Sequence, residues 1–312
     1  MRMLVTGGAG FIGSNLVQAL SPDRTGVLDD LSSGKRENLM PDVWFRQMDI
    51  LDPGLSSAFA EFAPDVVVHL AAQPSVAESL RDPQRDWTVN VEGTRAVAQA
   101  AADAGARLML SASSAAVYGD PVELPLLETT QKAPMSPYGR SKLAAESVIA
   151  EVLAGTRTDF ASLRFANVYG PRQDAQGEGG VVAVFCSQIA AGRAPVIHGT
   201  GEQTRDFIFV GDIVGALLAA IAHEGPSLRE GGGSGPAYNV STGNRTSINR
   251  LARLLADKAG FTGEFEYAEE REGDIAHSVL NPRKARDQFA WDARADLERG
   301  LDMTYKWFRD RA

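Results

Sequence analysis

Short apolar segments alternate with helix-type segments through the first half of the chain. Six apolar runs, each followed by glycine or polar residues, lie at residues 2–6, 26–31, 43–50, 65–72, 107–111 and 160–165. The run at 65–72 is nearly continuous, which is typical of a strand buried on both faces of a parallel sheet. Helix-type segments lie at 14–20 and, as one long Ala-rich helix, at 88–104. The alternation predicts an α/β fold with a Rossmann-like, doubly wound parallel sheet.

The second half has shorter elements. We predict helices at 181–191, 211–222, 247–259, 282–288 and 297–309, and short strands at 195–198, 205–210 and 238–240. The Gly-rich stretch 230–236 is predicted to be a mobile surface loop. We therefore expect a first domain at 1–165, with later contributions from about 207–243. A smaller, interleaved α/β lobe is expected mainly at 166–312.

A glycine-rich turn follows the first strand. Gly7, Gly10 and Gly13 lie between that strand and the first helix, as in dinucleotide-binding turns, where glycine lets the backbone approach a pyrophosphate. Asp29 ends the second predicted strand, where a carboxylate bonds the adenine ribose hydroxyls and repels a 2′-phosphate. The pattern indicates NAD rather than NADP, although Asp29 also has the plainer interpretation of a turn residue.

Tyr138 and Lys142 are the candidate chemical groups. An offset of four residues places both side chains on one face of a helix, for which Ser136 is a suitable N-cap and Pro137 a suitable first residue. An adjacent ammonium favours the phenolate, so the tyrosine can exchange a proton near neutral pH. Alone, the pair is also consistent with an ordinary surface helix.

Composition and charge exclude several classes of function. Of the 312 residues, 44% are hydrophobic and the formal net charge is −9, which gives no basic footprint for nucleic acid or an anionic membrane. No apolar stretch reaches the length of a membrane span, and the first residues do not form a signal peptide. The single cysteine, Cys186, is interpreted as a packing residue in a reducing compartment, so we expect a cytoplasmic protein. His69 is interpreted as a packed core histidine.

Taken together, the motifs resemble one family. They lie at residues 6–13, 29–34, 69–72, 113–119, 138–142, 167–172, 201–207 and 271–274. In this order, over nearly the whole chain, they resemble the extended short-chain dehydrogenase/reductases and, within them, the UDP-glucose 4-epimerase family.

The resemblance implies roles for named residues. Tyr138 would be the acid/base at the sugar C4 hydroxyl, Lys142 would hold the nicotinamide ribose and lower the Tyr138 pKa, and Ser114 would bond the same hydroxyl. Pro74 replaces a lysine that some members use for the cofactor. The implied NAD-binding residues are Gly7, Gly10, Phe11, Ile12, Gly13, Asp29, Asp30, Leu31, Ser32, Ser33, Gly34, Asp49, Ile50, Leu70, Ala71, Ala72, Gln73, Asn90, Ser113, Tyr138, Lys142, Phe165 and Ala166.

The resemblance also implies a UDP-sugar site. Arg205 and Arg271 would clamp the pyrophosphate, because a guanidinium fork bonds phosphate oxygens bidentately; the plainer interpretation is surface ion pairing. His198 would stack on the base. The full implied set is Ser75, Ser114, Tyr138, Asn167, Val181, Val182, Val196, His198, Arg205, Arg271, Asp274 and Ser278. No metal is implied.

The implied reaction is 4-epimerisation of a UDP-hexose through a transient 4-keto sugar. Ala115 and Ala116 stand where related dehydratases carry acids, which argues against dehydration. Asp174 stands where glucuronate-handling epimerases tend to carry arginine, which argues against a sugar with a carboxylate at C6. Small Ser278 leaves room for an N-acetyl group, so the UDP-GlcNAc and UDP-GalNAc pair is a further candidate. The alternatives are another sugar-nucleotide enzyme, such as a 4-ketoreductase or dehydratase, or a non-catalytic NAD-sensing module. The family also implies a homodimer through the helices that follow Asn90 and contain Tyr138.

Overall fold

The structure, a computed structural model, describes residues 1–120, 123–175, 180–233, 236–270 and 275–311. The helices are α1 Phe11–Val17, α2 Leu55–Phe62, α3 Val76–Arg81, α4 Pro83–Trp87, α5 Gly93–Asp103, α6 Pro137–Val152, α7 Val181–Ala190, α8 Val210–Ile221, α9 Ile248–Ala259, α10 Arg283–Phe289 and α11 Leu297–Arg309. The strands are β1 Met3–Thr6, β2 Thr25–Asp29, β3 Trp44–Gln47, β4 Val66–His69, β5 Leu108–Ser114, β6 Asp159–Phe165, β7 Asn167–Tyr169, β8 Val196–His198, β9 Thr204–Arg205, β10 Phe207–Phe209, β11 Ala237–Val240, β12 Thr246–Ser247 and β13 Glu266–Ala268.

The central sheet has seven strands in the order β11-β6-β5-β4-β1-β2-β3. Every neighbouring pair is parallel. The strand order reverses at β1, which lies between β2 and β4. Ligands of such sheets bind beyond the carboxyl ends of the strands at this point. The predicted doubly wound sheet is confirmed.

Strand β4 shows why the sheet is covered on both faces. Val66 and Val68 point into a core shared with α1 and α8, whereas Val67 points into the opposite core, which is formed with α2 and α5. Successive side chains of a strand point to opposite faces, so an unbroken apolar run needs a core on each side. The helices on the two faces supply those cores.

The second lobe has its own core. Helices α7, α9 and α11 contribute Phe185, Leu251 and Leu301 to it, and Tyr169 lies in the same cluster. Three small sheets pair β7 with β10, β9 with β12 and β8 with β13. Strand β11 returns to the central sheet beside β6, so the two halves are interleaved. Within the described ranges, no helix combines the length and apolar composition needed to cross a membrane.

Some predicted elements are shifted at their ends; the first helix, predicted at 14–20, is α1 at Phe11–Val17. Three predicted elements differ in kind. The helix expected at 88–104 is divided into a π-helical turn, Thr88–Glu92, and α5. In this turn the Asn90 side chain bonds both the backbone after β4 and Ser141 on α6. The stretch expected to be a mobile loop contains a 3-10 helix, Leu228–Gly233, and residues 234 and 235 lie outside the described ranges.

The third difference is at 205–210, where two strands replace the one expected. Asp206 separates β9 from β10, and its buried carboxylate accepts hydrogen bonds from the amides of Thr242 and Gly243 at 3.0 Å each. The same carboxylate accepts a bond from the Leu280 amide at 3.4 Å. These bonds connect the second lobe to the loop after β11. Because the Asp206 carboxylate bonds these amides, which are distant in sequence, a polar residue interrupts the apolar run.

A buried ion pair joins α6 to β6. Both carboxylate oxygens of Glu146 accept from Arg164, at 2.8 Å from Nε and 2.6 Å from Nη2. The Ser113 hydroxyl donates to Glu146 at 2.6 Å, and Arg164 donates to the Tyr118 hydroxyl at 2.8 Å. The Arg164 side chain is only 4% exposed, so the charge is compensated within the protein.

We expect Arg164→Met to lower the free energy of unfolding by about 3–5 kcal/mol, because it leaves Glu146 charged, buried and unpaired. The measurement is chemical denaturation monitored by circular dichroism. Arg283→Met is the control, because Arg283 forms an exposed pair with Asp287, and such pairs contribute about 0–1 kcal/mol. Equal losses in the two variants would contradict the structural importance of the buried pair.

Candidate active site

The predicted cofactor residues lie along one edge of the central sheet. They follow the carboxyl ends of consecutive strands: Gly7–Gly13 after β1, Asp29–Gly34 at the end of β2, Asp49–Ile50 after β3, Leu70–Gln73 after β4, Ser113–Ser114 at the end of β5, and Phe165–Ala166 at the end of β6. Parallel pairing brings these ends together in one crevice.

Glycine is required at two positions of the turn after β1. Gly7 has φ +68°, and a Cβ there would lie 2.6 Å from the backbone nitrogen of Ala71. A Cβ on Gly13 would lie 2.1 Å from the Gly7 carbonyl oxygen. The turn is therefore packed against the loop after β4 and against the start of α1, with no room for side chains.

Asp29 fixes this turn to the end of β2. Its carboxylate accepts hydrogen bonds from the Ala9 and Leu31 amides, each at 2.8 Å. Burial raises the pKa of Asp29, and the backbone hydrogen bonds oppose that shift. Each oxygen still has acceptor capacity, because a carboxylate accepts about four hydrogen bonds. Next to it, Asp30 accepts from the amide and hydroxyl of Ser32.

Asn90 connects the loop after β4 to α6. Its side chain exchanges two hydrogen bonds with the Gln73 backbone, at 2.9 and 3.0 Å, and donates to the Ser141 hydroxyl at 3.1 Å. Asn90 is 1% exposed. Ser75, expected in the sugar site, is the N-cap of α3 and accepts from the Glu78 amide.

Ser114, Tyr138 and Lys142 are brought together by β5 and α6. Ser136 caps α6 as expected, accepting from the Gly139 amide at 3.0 Å, and Pro137 begins the helix. The Ser114 side chain forms a hydrogen bond with the Tyr138 phenol. The Lys142 ammonium lies 5.9 Å from the Tyr138 ring centre and donates to the Ala112 carbonyl at 3.1 Å.

The electrostatics correct one expectation. Burial raises the pKa of Tyr138, the Ser114 hydrogen bond opposes this shift, and the charge of Asp86 adds to it. The protein groups alone therefore do not lower the Tyr138 pKa as expected. Burial lowers the pKa of Lys142 to about 8, against the carboxylates of Asp86 and Glu146, so part of its positive charge is lost at mildly basic pH.

The predicted sugar-nucleotide residues lie on the second lobe. Asn167 and the first residues of α7, Val181 and Val182, line a cavity of about 30 Å³. Arg205 donates to the Thr204 carbonyl at 2.9 Å, and the Ser278 amide donates to the same carbonyl at 3.0 Å. The structure therefore places Arg205 beside Ser278.

The remaining members of this set are less closely grouped. Val196 and His198 lie on β8, where the His198 ring contacts the Glu269 carbonyl at 3.0 Å. Arg271 and Asp274 lie outside the described residues. No cluster of histidine, cysteine and carboxylate side chains suited to a metal occurs in the part of the chain that the structure describes.

Two further residues occupy the core, as their sequence context indicated. The His69 ring bonds the hydroxyls of Thr6 and Thr94 at 2.7 and 2.9 Å. Burial, assisted by the charge of Lys142, lowers the pKa of His69 to about 3, so its ring is neutral at physiological pH. Cys186 is buried, which raises the pKa of its thiol to about 12.

A family model described as the NAD dependent epimerase/dehydratase family matches residues 3–241. The chain belongs to this family. The extended short-chain dehydrogenase/reductase family expected from the motifs is thereby confirmed, and with it the dependence on NAD.

Individual members are similar over their whole length. The UDP-glucose 4-epimerase of Mycolicibacterium smegmatis is 42% identical over 320 residues, covering 100% of both chains. A solved UDP-N-acetylglucosamine 4-epimerase from Methanobrevibacter ruminantium, in complex with UDP-N-acetylmuramic acid, has TM-score 0.92 and 33% identity, covering 100% of this chain and 99% of that one. The Thermus thermophilus UDP-glucose 4-epimerase in complex with NAD has TM-score 0.91 and 36% identity, covering 100% of both chains.

Within this epimerase/dehydratase chain, several buried polar residues at the site were not predicted. Glu146 lies four residues after Lys142, so the helical spacing of Tyr138 and Lys142 extends to it. Asp86 lies four residues before Asn90 and accepts a bond from its side chain. Arg164 has no comparable local signal, because its partners come from α6 and from the turn that contains Tyr118.

Proposed function

We propose that the protein is an NAD-dependent 4-epimerase of UDP-hexoses that interconverts UDP-glucose and UDP-galactose. The observation that carries the proposal is the grouping of Ser114, Tyr138 and Lys142 at the sheet edge that also holds the Gly-rich turn. Full-length similarity to chains named UDP-glucose 4-epimerase supports this substrate class.

The residues that would hold NAD fit such a cofactor. The turn at Gly7 and Gly13 keeps side chains away from the backbone, so a pyrophosphate can approach it closely. Asp29 is fixed by two amides and retains acceptor capacity for ribose hydroxyls. When bound, NAD would supply the acceptor and later the donor of the hydride of the sugar C4, and its positive charge would favour the ionised form of the Tyr138 phenol.

In this proposal Tyr138 takes the proton of the C4 hydroxyl and later gives it back. Ser114, already bonded to the phenol, bonds the same hydroxyl and aligns it. Lys142 uses one of its three N–H donors on the Ala112 carbonyl, which leaves two for the nicotinamide ribose. The 4-keto sugar turns over before hydride returns to its opposite face, which inverts C4.

The second lobe would hold the nucleotide. Arg205 and Asn167 are proposed to bind the diphosphate, and the start of α7 and β8 would flank the uracil. Arg271 and Asp274 stay predictions of the sequence. Tight binding of the nucleotide supplies energy at a distance from the reacting carbon, so the sugar itself need not be held rigidly. We accordingly propose that residues 1–165 chiefly bind NAD and that 166–312 chiefly bind the UDP-sugar.

Ala115 and Ala116 favour epimerisation over dehydration. Both lie in the 3-10 helix Ala115–Tyr118, directly after Ser114. Neither side chain carries a group that can remove or deliver a proton. The 4-keto sugar therefore lacks an acid or base here to drive elimination.

We expect Tyr138→Phe to lower turnover of UDP-galactose by about 100- to 10,000-fold, the contribution of a general acid–base group. Retention of NAD and binding of UDP should be unchanged, because the ring is preserved. Turnover is measured by product analysis and binding by calorimetry. Tyr305→Phe, on α11, is the control and should keep wild-type turnover. Wild-type turnover by Tyr138→Phe would refute the role of the phenol.

We also propose that the enzyme accepts the UDP-GlcNAc and UDP-GalNAc pair, because Ser278 is small. Ser278→Tyr should lower turnover of the N-acetylated pair by about tenfold or more relative to the UDP-glucose pair, since pocket discrimination of this kind is worth ~1–3 kcal/mol. Ser278→Ala is the control and should keep both activities. If wild-type enzyme turns over UDP-galactose but not the N-acetylated pair, this proposal is wrong.

We propose a homodimer formed by α5 and α6. The outer face of α6 carries small side chains such as Ala144 and Ser147, and an ion pair between Arg95 and Glu151 at 3.3 Å joins the two helices. Small side chains let a second pair of helices pack closely.

Sedimentation should give about twice the 33.3 kDa chain mass. Ala144→Arg should halve the sedimenting mass. Asp257→Arg, on the exposed side of α9, is the control and should leave that mass unchanged. A monomeric wild type would exclude the dimer.

A further inference from the structure

Asp86 is a buried carboxylate with one unbonded oxygen. It lies on α4 and is 1% exposed. Its Oδ1 accepts from the Gln73 amide side chain at 2.7 Å and from the Asn90 amide side chain at 3.1 Å. Its Oδ2 is buried and has no hydrogen-bond partner of normal geometry among the described residues. Burial raises the pKa of Asp86, and the nearby Ser141 hydroxyl opposes this shift. A buried carboxylate of this kind is costly unless a positive charge lies near it.

The compensating charge comes from α6. The cations that act on Asp86 are Lys142 and Arg140, and Arg140 is exposed, so solvent screens it. Lys142 is 8% exposed, and its field is therefore screened much less. No described basic side chain forms a direct ion pair with Asp86.

The other carboxylate near Lys142 is already paired. Glu146 bonds Arg164 with both of its oxygens, so the two charges cancel locally. Asp86 has no such partner, which leaves its charge to act on Lys142 and Tyr138. The bonds to Gln73 and Asn90 hold that charge in place behind the catalytic helix.

We propose that Asp86 is a positioning residue for catalysis: its fixed buried carboxylate is the counter-charge of Lys142 and sets the pH range in which Tyr138 and Lys142 work together. The inference depends on the proposed roles of those two residues. It gives α4, which contains none of the motif residues, a role in the acid–base chemistry of Tyr138 and Lys142.

The charged and titratable groups around Asp86 come from several elements. On α4 and the elements packed against it, they are Tyr138, Arg140, Lys142 and Glu146 on α6, Asp82 and Arg85 at the start of α4, Glu78 and Arg81 on α3, and Glu92 in the π-helical turn, with His69 on β4 beyond Lys142. His69 is neutral over the working range because burial lowers its pKa to about 3. Glu78 and Arg81 are paired with each other at the surface.

The test is the pH profile of kcat/KM for Asp86→Asn, measured with UDP-galactose and added NAD. The amide oxygen can keep both Oδ1 hydrogen bonds while the charge is removed. A carboxylate here favours the protonated forms of both Tyr138 and Lys142, so removing it should move both limbs of the profile to lower pH. We expect a shift of about one unit, the size of effect that a nearby charge produces in a buried site.

Two variants separate charge from structure. Asp86→Glu restores the charge and should return the limbs towards their wild-type positions, even if the rate is lower. Glu224→Gln removes an exposed carboxylate distant from the site and should leave the profile in place. If Asp86→Asn lowers the rate but leaves both limbs where they were, Asp86 is only structural and the proposal is wrong.

The tyrosinate absorbance of Tyr138, taken as wild type minus Tyr138→Phe in the NAD-bound protein, gives a readout without turnover. It should titrate at lower pH in Asp86→Asn. This result is independent of the substrate, so an enzyme inactive on UDP-hexoses would refute the proposed function while still testing the role of Asp86. No difference in this titration would overturn the inference.

If Asp86→Asn alone does not fold, thermal unfolding of a double variant still tests the proposal. Lys142→Met leaves Asp86 without its counter-charge, so adding Asp86→Asn should keep or raise the midpoint temperature of Lys142→Met. A further fall in the double variant would show that the two side chains contribute separately, contrary to the proposal.

Discussion

The reversal of strand order beside β1 is the constraint on which the rest of the molecule depends. Because all seven strands are parallel, their carboxyl ends share one edge, and the chain leaves β1 and β4 in different directions there. The two exits meet at Gly7 and Ala71, where a Cβ on Gly7 would lie 2.6 Å from the Ala71 backbone nitrogen. These two segments form a crevice, and Tyr138 and Lys142 of α6 face it.

Helix α6 orders its polar groups by function. Tyr138, Lys142 and Glu146 follow one another at four-residue intervals along one face. In the middle of the helix, Glu146 accepts hydrogen bonds from Arg164 and Ser113, and this arrangement is structural. At the end near the crevice the ammonium and the phenol have looser partners, so their ionisation stays sensitive to neighbouring charge. The same helix therefore carries Glu146, which forms a fixed salt bridge, and Tyr138, whose pKa depends on nearby charges.

Local patterns in the sequence predicted those parts of the fold and site that depend on local interactions. The turn at Gly7 and Gly13 and the cap at Ser136 need only a few consecutive residues, and the structure has them as predicted. Asp86 and Arg164 could not be recognised in this way. Their importance comes from partners on other elements, and burial of a charged group is decided by packing that no local pattern encodes. The π-helical turn around Asn90 was missed for the same reason.

The pairing of β11 with β6 limits how the gene could be recombined. Asp206 and its partners Thr242 and Gly243, which follow β11, all lie in the second half of the chain. Strand β11 itself pairs with β6 from the first half. A chimera joined near residue 166 would keep the Asp206 bonds within one parent but would take β6 and β11 from different parents. Exchange of sugar preference between relatives is therefore better made by single residues or short loops than by swapping halves.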